Sequence, residues 1–282
     1  MMPYSFPKDF SEPVLSLIAL GEERARGTDW INYLELGITA EHISELIRIV
    51  EEIDSFWPDE DVQDAPESCA PIHAWRALGQ LKAEQAIPAL MQLIVWNEDD
   101  LSDWIMEETP EALGMIGHAC IPMLREYLLK PDKSEWASVT MAHSLAEIGK
   151  RHPETRDACV DAMRAGLELF AENDESVNGF LIDYLAELKA VEVAPLVERA
   201  YQADAVDISV LGDYEDFQIL VGLLDKRLTP PQRFYWAKDP QLAWETEKQT
   251  RSAEGHRQRE QEKKEKKKQK QAKKARKKHK KK

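Results

Sequence analysis

The 282-residue chain predicts an all-α fold in which helix pairs stack side by side as an α-solenoid. Three observations carry this expectation. Strand signals are nearly absent, with no sustained alternation of apolar and polar residues and no Asn-Gly or Asp-Gly hairpin turn between β-branched segments. Helical periodicity dominates instead: Ala74, Ala77, Leu78 and Leu81 stand at i, i+3, i+4 and i+7, on one helix face. That template recurs as Thr109, Ala112, Leu113, Ile116, then as Met141, Ser144, Leu145, Ile148, and as Leu181, Tyr184, Leu185, Leu188. The equivalent leucines, 78, 113, 145 and 185, are 35, 32 and 40 residues apart, a spacing suited to two helices per unit.

From the N-terminus, Trp30–Leu36 and Thr39–Ile53 read as a helix pair broken at Gly37, with Thr39 as N-cap and Ile43, Leu46, Ile47 and Val50 as the buried face. Residues 54–68 carry six acidic residues and two prolines and read as an exposed loop. The four template copies then supply first helices. Second helices begin at Ile87-Pro88-Ala89-Leu90, Ile121-Pro122-Met123-Leu124, His152-Pro153 and Ala194-Pro195-Leu196-Val197. Proline suits the first helical turn, where its missing N–H has no partner to lose. Gly79, Gly114, Gly117 and Gly149 fall near the ends of first helices, where glycine ends a helix or eases close packing. Residues 213–224 read as a short helix, and Thr229-Pro230-Pro231 as the stop. A single amphipathic pair cannot bury its apolar face, whereas stacked neighbours cover one another.

Charge divides the chain. Residues 251–282 hold 17 Lys or Arg and 4 Glu, a balance of +13, which leaves 20 basic against 48 acidic residues in 1–250, a balance of −28. The expected organisation is a solenoid over 1–228, a linker over 229–250 and a Lys-rich tail over 251–282. With no Leu, Ile, Val or Met beyond Leu242 and no aromatic residue beyond Trp244, the tail has nothing with which to build a core and is read as disordered or a solvated helix. No stretch approaches a membrane helix in length, since Pro13–Leu20 and Ala89–Trp96 are the best apolar runs. The first ten residues do not resemble a secretory signal. Cys69, Cys120 and Cys159 lack metal or redox spacing, and Cys120 and Cys159 read as buried apolar side chains. These features suit a reducing cytoplasm.

Aligned repeats place Arg76, Glu111, His143 and Asp183 in one column, and His73, Glu108, Thr140 and Phe180 in the column a turn earlier. Two His and two Glu on facing helices have the chemistry of metal ligands, but a solvated, salt-bridged surface with Arg76 opposite Glu111 is the reading preferred. His73, Arg76, Glu108, Glu111, His143 and Asp183 are therefore expected as an exposed binding surface, with no metal and no cofactor. No GxSxG, phosphate loop or HExxH is present, and no nucleophile stands out. Trp75, Trp96, Trp104 and Trp136 are expected largely in the core. In the tail, Lys263, Lys264, Lys266, Lys267, Lys268, Lys273, Lys274, Arg276, Lys277 and Lys278 are candidates for RNA or DNA contact by counterion release, without sequence specificity because no aromatics are interleaved, or the tail folds back on the chain's own acidic body.

Ala77-Leu78-Gly79 followed by Ala86-Ile87-Pro88-Ala89-Leu90 resembles the HEAT repeat in the short form of phycobilisome lyases. Residues 70–79, Asn178-Gly179-Phe180 and residues 188–192 are similar to uncharacterised bacterial HEAT-repeat proteins. The resemblance spans roughly residues 12–228 and implies about five stacked HEAT-like helix pairs of right-handed twist. Deoxyhypusine hydroxylase, a HEAT-like metalloenzyme, carries His-Glu pairs on such helices. The equivalent positions here, Ile72-His73, Glu107-Glu108, Val139-Thr140 and Gly179-Phe180, contain none, which argues against that chemistry. The function expected is non-catalytic: a scaffold presenting an acidic curved surface to a protein partner with a basic surface, away from membranes. The alternatives are a phycobilin-lyase-like chromophore handler or an RNA- or ribosome-associated factor acting through the tail.

Overall fold

The computed structural model describes residues 6–21, 30–57, 65–96 and 103–230. Among them the regular structure is entirely helical. The α-helices are α1 (Val14–Ile18), α2 (Ile43–Glu51), α3 (Ala70–Gln80), α4 (Ile87–Trp96), α5 (Asp103–Ile116), α6 (Ile121–Leu128), α7 (Glu135–Arg151), α8 (Arg156–Leu167), α9 (Glu175–Glu187), α10 (Ala194–Gln202), α11 (Ile208–Leu211) and α12 (Tyr214–Leu220). The chain divides into two units, Met1–Thr229 and Pro230–Lys282, and these helices all belong to the first. The expected linker and tail, from 231 onward and including the candidate residues Lys263 to Lys278, lie outside the described residues.

The four template copies are α3, α5, α7 and α9, and each packs on the next. The proline-marked segments supply α4, α6, α8 and α10. Each of these follows a short 3-10 turn: Glu84–Ala86, His118–Cys120, Pro153–Thr155 and Val191–Val193 respectively. Pro88, Pro122 and Pro195 sit second in their helices, where no intrahelical donor is lost. Helix α6 packs on α7 and α8, and α8 on α9, so the second helices brace the first row from one side. A continuous apolar core runs from Phe10 to Phe217.

Two glycines explain how closely the first row stacks. A Cβ on Gly79 would lie 2.9 Å from the Ala112 Cα, so α3 and α5 approach to a distance that only glycine permits. Gly117 ends α5 with φ +92°, a left-handed conformation natural to glycine. Lys82 and Lys189 hold the corresponding left-handed position after α3 and α9, with φ 51° and 53°.

The N-terminal region departs from expectation. Residues 30–38 form a strap of consecutive turns, in which the Glu35, Leu36 and Gly37 N–H groups donate to the carbonyls three residues back, in place of the regular helix expected. Gln80 pins it to α3: its carbonyl oxygen accepts from the Tyr33 N–H at 2.9 Å, and its amide donates to the Ile31 carbonyl at 2.8 Å. Trp30 and Tyr33 are buried by this docking. Their apolar spacing thus reflects a strap with one side down, which a helical template also fits. Thr39 does begin the following segment, its backbone N–H donating to His42 Nδ1 at 2.9 Å ahead of α2. On α2, Ile49 is fully buried and Ile47 only partly, so the face is rotated slightly from the one expected. Parts of the expected acidic loop are also inside. Phe56 is fully buried, and the Trp57 indole donates to the Ser68 carbonyl at 2.7 Å. Short 3-10 turns at both ends tie these residues down.

Candidate functional site

The six polar residues expected on an exposed surface divide into two groups. His73 and Arg76 on α3 are fully buried, and Glu108 on α5 is 8% exposed. The strap explains this, because Tyr33 and Trp30 lie across the columns that the repeat alignment left open. The Tyr33 hydroxyl and His73 Nδ1 are 2.7 Å apart, and His73 Nε2 is 2.7 Å from the Gly21 carbonyl. A carbonyl only accepts, so Nε2 carries a proton and donates to Gly21, while Nδ1 is hydrogen-bonded to the Tyr33 hydroxyl.

Arg76 does not face Glu111 as expected. It grips Glu108 with two prongs, Nε to Oε2 at 2.8 Å and Nη2 to Oε1 at 2.6 Å, and the Trp75 indole adds a third donor to Oε2 at 2.9 Å. The guanidinium also lies 5.4 Å from the Trp30 ring and 5.7 Å from that of Trp104. Burial works against the Arg76 charge, but the hydrogen bonds and charge of Glu108, with Tyr33, outweigh it and raise its pKa. A buried arginine so matched stabilises the stack and is not available to a ligand.

The second group lies on a half-exposed face of α5, α7 and α9. Glu111 pairs with Arg151 two turns beyond His143 on α7. Glu147 receives Lys150 at 2.9 Å, and Lys150 reaches on to Glu187 of α9 at 2.5 Å. Ion pairs therefore run diagonally from α3 through α9, because long basic side chains span one or more turns to the neighbouring helix.

His143 stacks face to face on Tyr184, ring centres 5.1 Å apart and planes 3° from parallel, with Nε2 3.9 Å from Glu147. Burial lowers the His143 pKa, partly opposed by Glu147. Burial, then the charge of Glu187, raises the pKa of Asp183.

Sequence columns missed the aromatic continuation of this face. Tyr184 stacks on Phe180 at 6.1 Å, and Phe180 meets Trp136 edge-on at 6.4 Å. Four half-exposed rings, Trp136, Phe180, Tyr184 and His143, thus form one row across α7 and α9. Its sequence signal is the spacing of 136, 140 and 143 on one helix and of 180 and 184 on the next, masked by the expectation that aromatics belong to the core. Trp75 follows that expectation, while Trp96, Trp104 and Trp136 are half-buried. Among the described residues, no group of three His, Cys, Asp or Glu side chains is placed to hold a metal ion, and no helix is long and apolar enough to cross a membrane.

No curated protein and no solved structure matches the chain. One family model does, over residues 36–228, which takes in α2 to α12 and every residue of the polar columns. With about two thirds of its length matched, the chain belongs to the family described as "Protein of unknown function (DUF1186)".

Proposed function

We propose that the protein is a HEAT-like α-solenoid of the cytoplasm and a non-catalytic scaffold that docks a partner protein on the face shared by α7 and α9. The order of packing, with α3, α5, α7 and α9 each against the next, supports the repeat architecture. The observation that carries the function is the row Trp136, Phe180, Tyr184, His143. Rings at this exposure provide large, rigid contact area of the kind enriched at interface centres. The acid–base groups beside it are engaged structurally: Glu111 by Arg151, and Glu147 and Glu187 by Lys150. That leaves a recognition surface in place of a proton-transfer site.

The test is a pull-down from native lysate, with and without nuclease, using the full chain and a Trp136→Leu/Tyr184→Leu variant checked for helicity. A partner retained by the wild-type chain after nuclease, and lost by the variant, supports docking on this row. Recovery that disappears with nuclease assigns the protein to nucleic-acid association through its basic residues. A bound visible chromophore on the purified protein assigns it to the lyase-like alternative.

A further inference from the structure

The ring row meets a second feature at the first turns of α7 and α9. There an open cavity of about 470 Å³ is lined by Glu135, Asn173, Asp174, Glu175, Ser176 and Asp207. Four of these are carboxylates and none is basic. Glu135 accepts from the Ser176 hydroxyl, and Asp207 accepts from the Ser209 N–H at 2.8 Å. Lys133, whose charge reaches Asp174, directs its ammonium to the Lys130 carbonyl at 3.3 Å. Asn173 uses its amide nitrogen on the Gly166 carbonyl and on Asn178, while its Oδ1 is buried without a donor. The cavity therefore carries excess negative charge on carboxylate acceptors, and the complement is a group with several N–H donors and a positive charge.

The cavity and the rings draw on neighbouring positions of the same two helices. Glu135 immediately precedes Trp136 on α7, and Ser176 stands one turn before Phe180 on α9. The ring centres follow one another at 6.4, 6.1 and 5.1 Å. An extended peptide rises about 3.3 Å per residue, which places alternate side chains about 6.6 Å apart, close to the ring spacing. Aromatic faces attract ammonium and guanidinium groups and cover their aliphatic stems. Phosphate-bearing ligands fit poorly, because Arg151 and Lys150 on this face are already bound to carboxylates. The balance of −28 over residues 1–250 also repels polyanions and steers cations inward.

We infer that this face binds an extended segment of a partner protein in which Lys or Arg recurs at alternate positions, one of them entering the carboxylate cavity and the others lying over Phe180 and Tyr184. The inference rests on the scaffold reading and specifies its partner.

Fluorescence anisotropy with the full chain tests it. The probe is a labelled Lys-Ser-Arg-Ser-Lys-Ser-Arg-Ser peptide. The reference is its clustered isomer, Lys-Arg-Lys-Arg followed by four serines, with the same charge. The chain's own basic residues 251–282 are present in every arm and cancel in the ratios. The alternating peptide is expected to bind about tenfold more tightly than the clustered one, the scale of two ring contacts with cations. Asp174→Asn/Glu175→Gln, at exposed positions that make no cap bond, and Phe180→Leu are each expected to weaken it several-fold with unchanged circular dichroism. Equal binding of the two peptides overturns the inference, as does wild-type affinity in either variant. Tighter binding of spermidine than of the alternating peptide also overturns it. If both peptides fail while the pull-down still yields a partner through the ring row, the scaffold reading stands and the cationic-segment inference falls.

Discussion

Arg76 and Glu108 meet across α3 and α5 as a two-pronged pair, at 2.6 and 2.8 Å, with the guanidinium sealed from solvent. Removing one partner strands the other. Glu108→Ala is expected to destabilise the fold by about 3–5 kcal/mol, because the buried Arg76 charge and the Trp75 indole lose their acceptor. Replacing both residues, Arg76→Met with Glu108→Leu, should cost much less than the sum of the single changes, since packing can take the place of a desolvated pair. Urea denaturation of the four proteins measures this coupling, and additive losses would deny it.

Helix glycines offer a test of packing with opposite signs. Gly79→Ala places a methyl 2.9 Å from the Ala112 backbone, and forcing α3 from α5 should cost about 1–3 kcal/mol. That exceeds the roughly 0.5–1 kcal/mol gained from alanine's better helix propensity. Gly166→Ala in α8 meets only side chains in ordinary van der Waals contact, Leu128 at 3.4 Å and Leu181 at 3.7 Å. Propensity should prevail there, giving a gain of up to about 1 kcal/mol. Midpoints of chemical denaturation decide both.

Acid should weaken the protein in part through His143. Its folded pKa lies below 6.5 because burial disfavours the imidazolium, with Glu147, Lys150, Glu187 and the Tyr184 ring facing it. The unfolded state then binds the proton more readily, so the His143 contribution is present above about pH 6.5 and is lost as pH falls toward the folded pKa. Asp183 has the opposite sign: burial raises its pKa above 3.8, so lowering pH into that window relieves a cost. The stability of wild type relative to His143→Phe should fall as pH drops below about 6.5, and imidazole NMR shifts give the titration directly.

Thiol reactivity should separate the three cysteines. Burial pushes Cys120 up to about 12 and Cys159 to about 11, which keeps both as unreactive thiols at neutral pH. Cys69 is partly exposed. A chromogenic disulfide reagent at pH 8 is expected to titrate Cys69 in the native chain and the other two only after denaturation. Rapid reaction of all three would place Cys120 and Cys159 nearer solvent than the helix packing does.

Much of the fold is legible along the chain because its elements are local. The i, i+3, i+4, i+7 apolar sets located α3, α5, α7 and α9, and the prolines near the starts of α4, α6 and α10 marked the second helices. The segment 30–36 was misread because five apolar positions in seven residues fit a helix and a docked strap equally well. Its docking depends on Gln80, 47 residues beyond Tyr33, which supplies the hydrogen bonds that hold its turns against α3. Of the polar columns, His73, Arg76 and Glu108 are buried where an exposed surface was expected, while Glu111, His143 and Asp183 remain partly exposed.

The sequence by itself determined the helical elements, their order, the buried cysteines and the charge contrast between 1–250 and 251–282, all of which follow from nearest neighbours and composition. Only the tertiary structure decided that Arg76 pairs with Glu108 in place of Glu111, that His73 is sealed beneath Tyr33, and that Trp136, Phe180, Tyr184 and His143 form one half-buried row. Those relationships join residues 32 to 44 positions apart. They depend on the stagger between neighbouring helices and on the strap laid over α3, which periodicity within a helix does not encode.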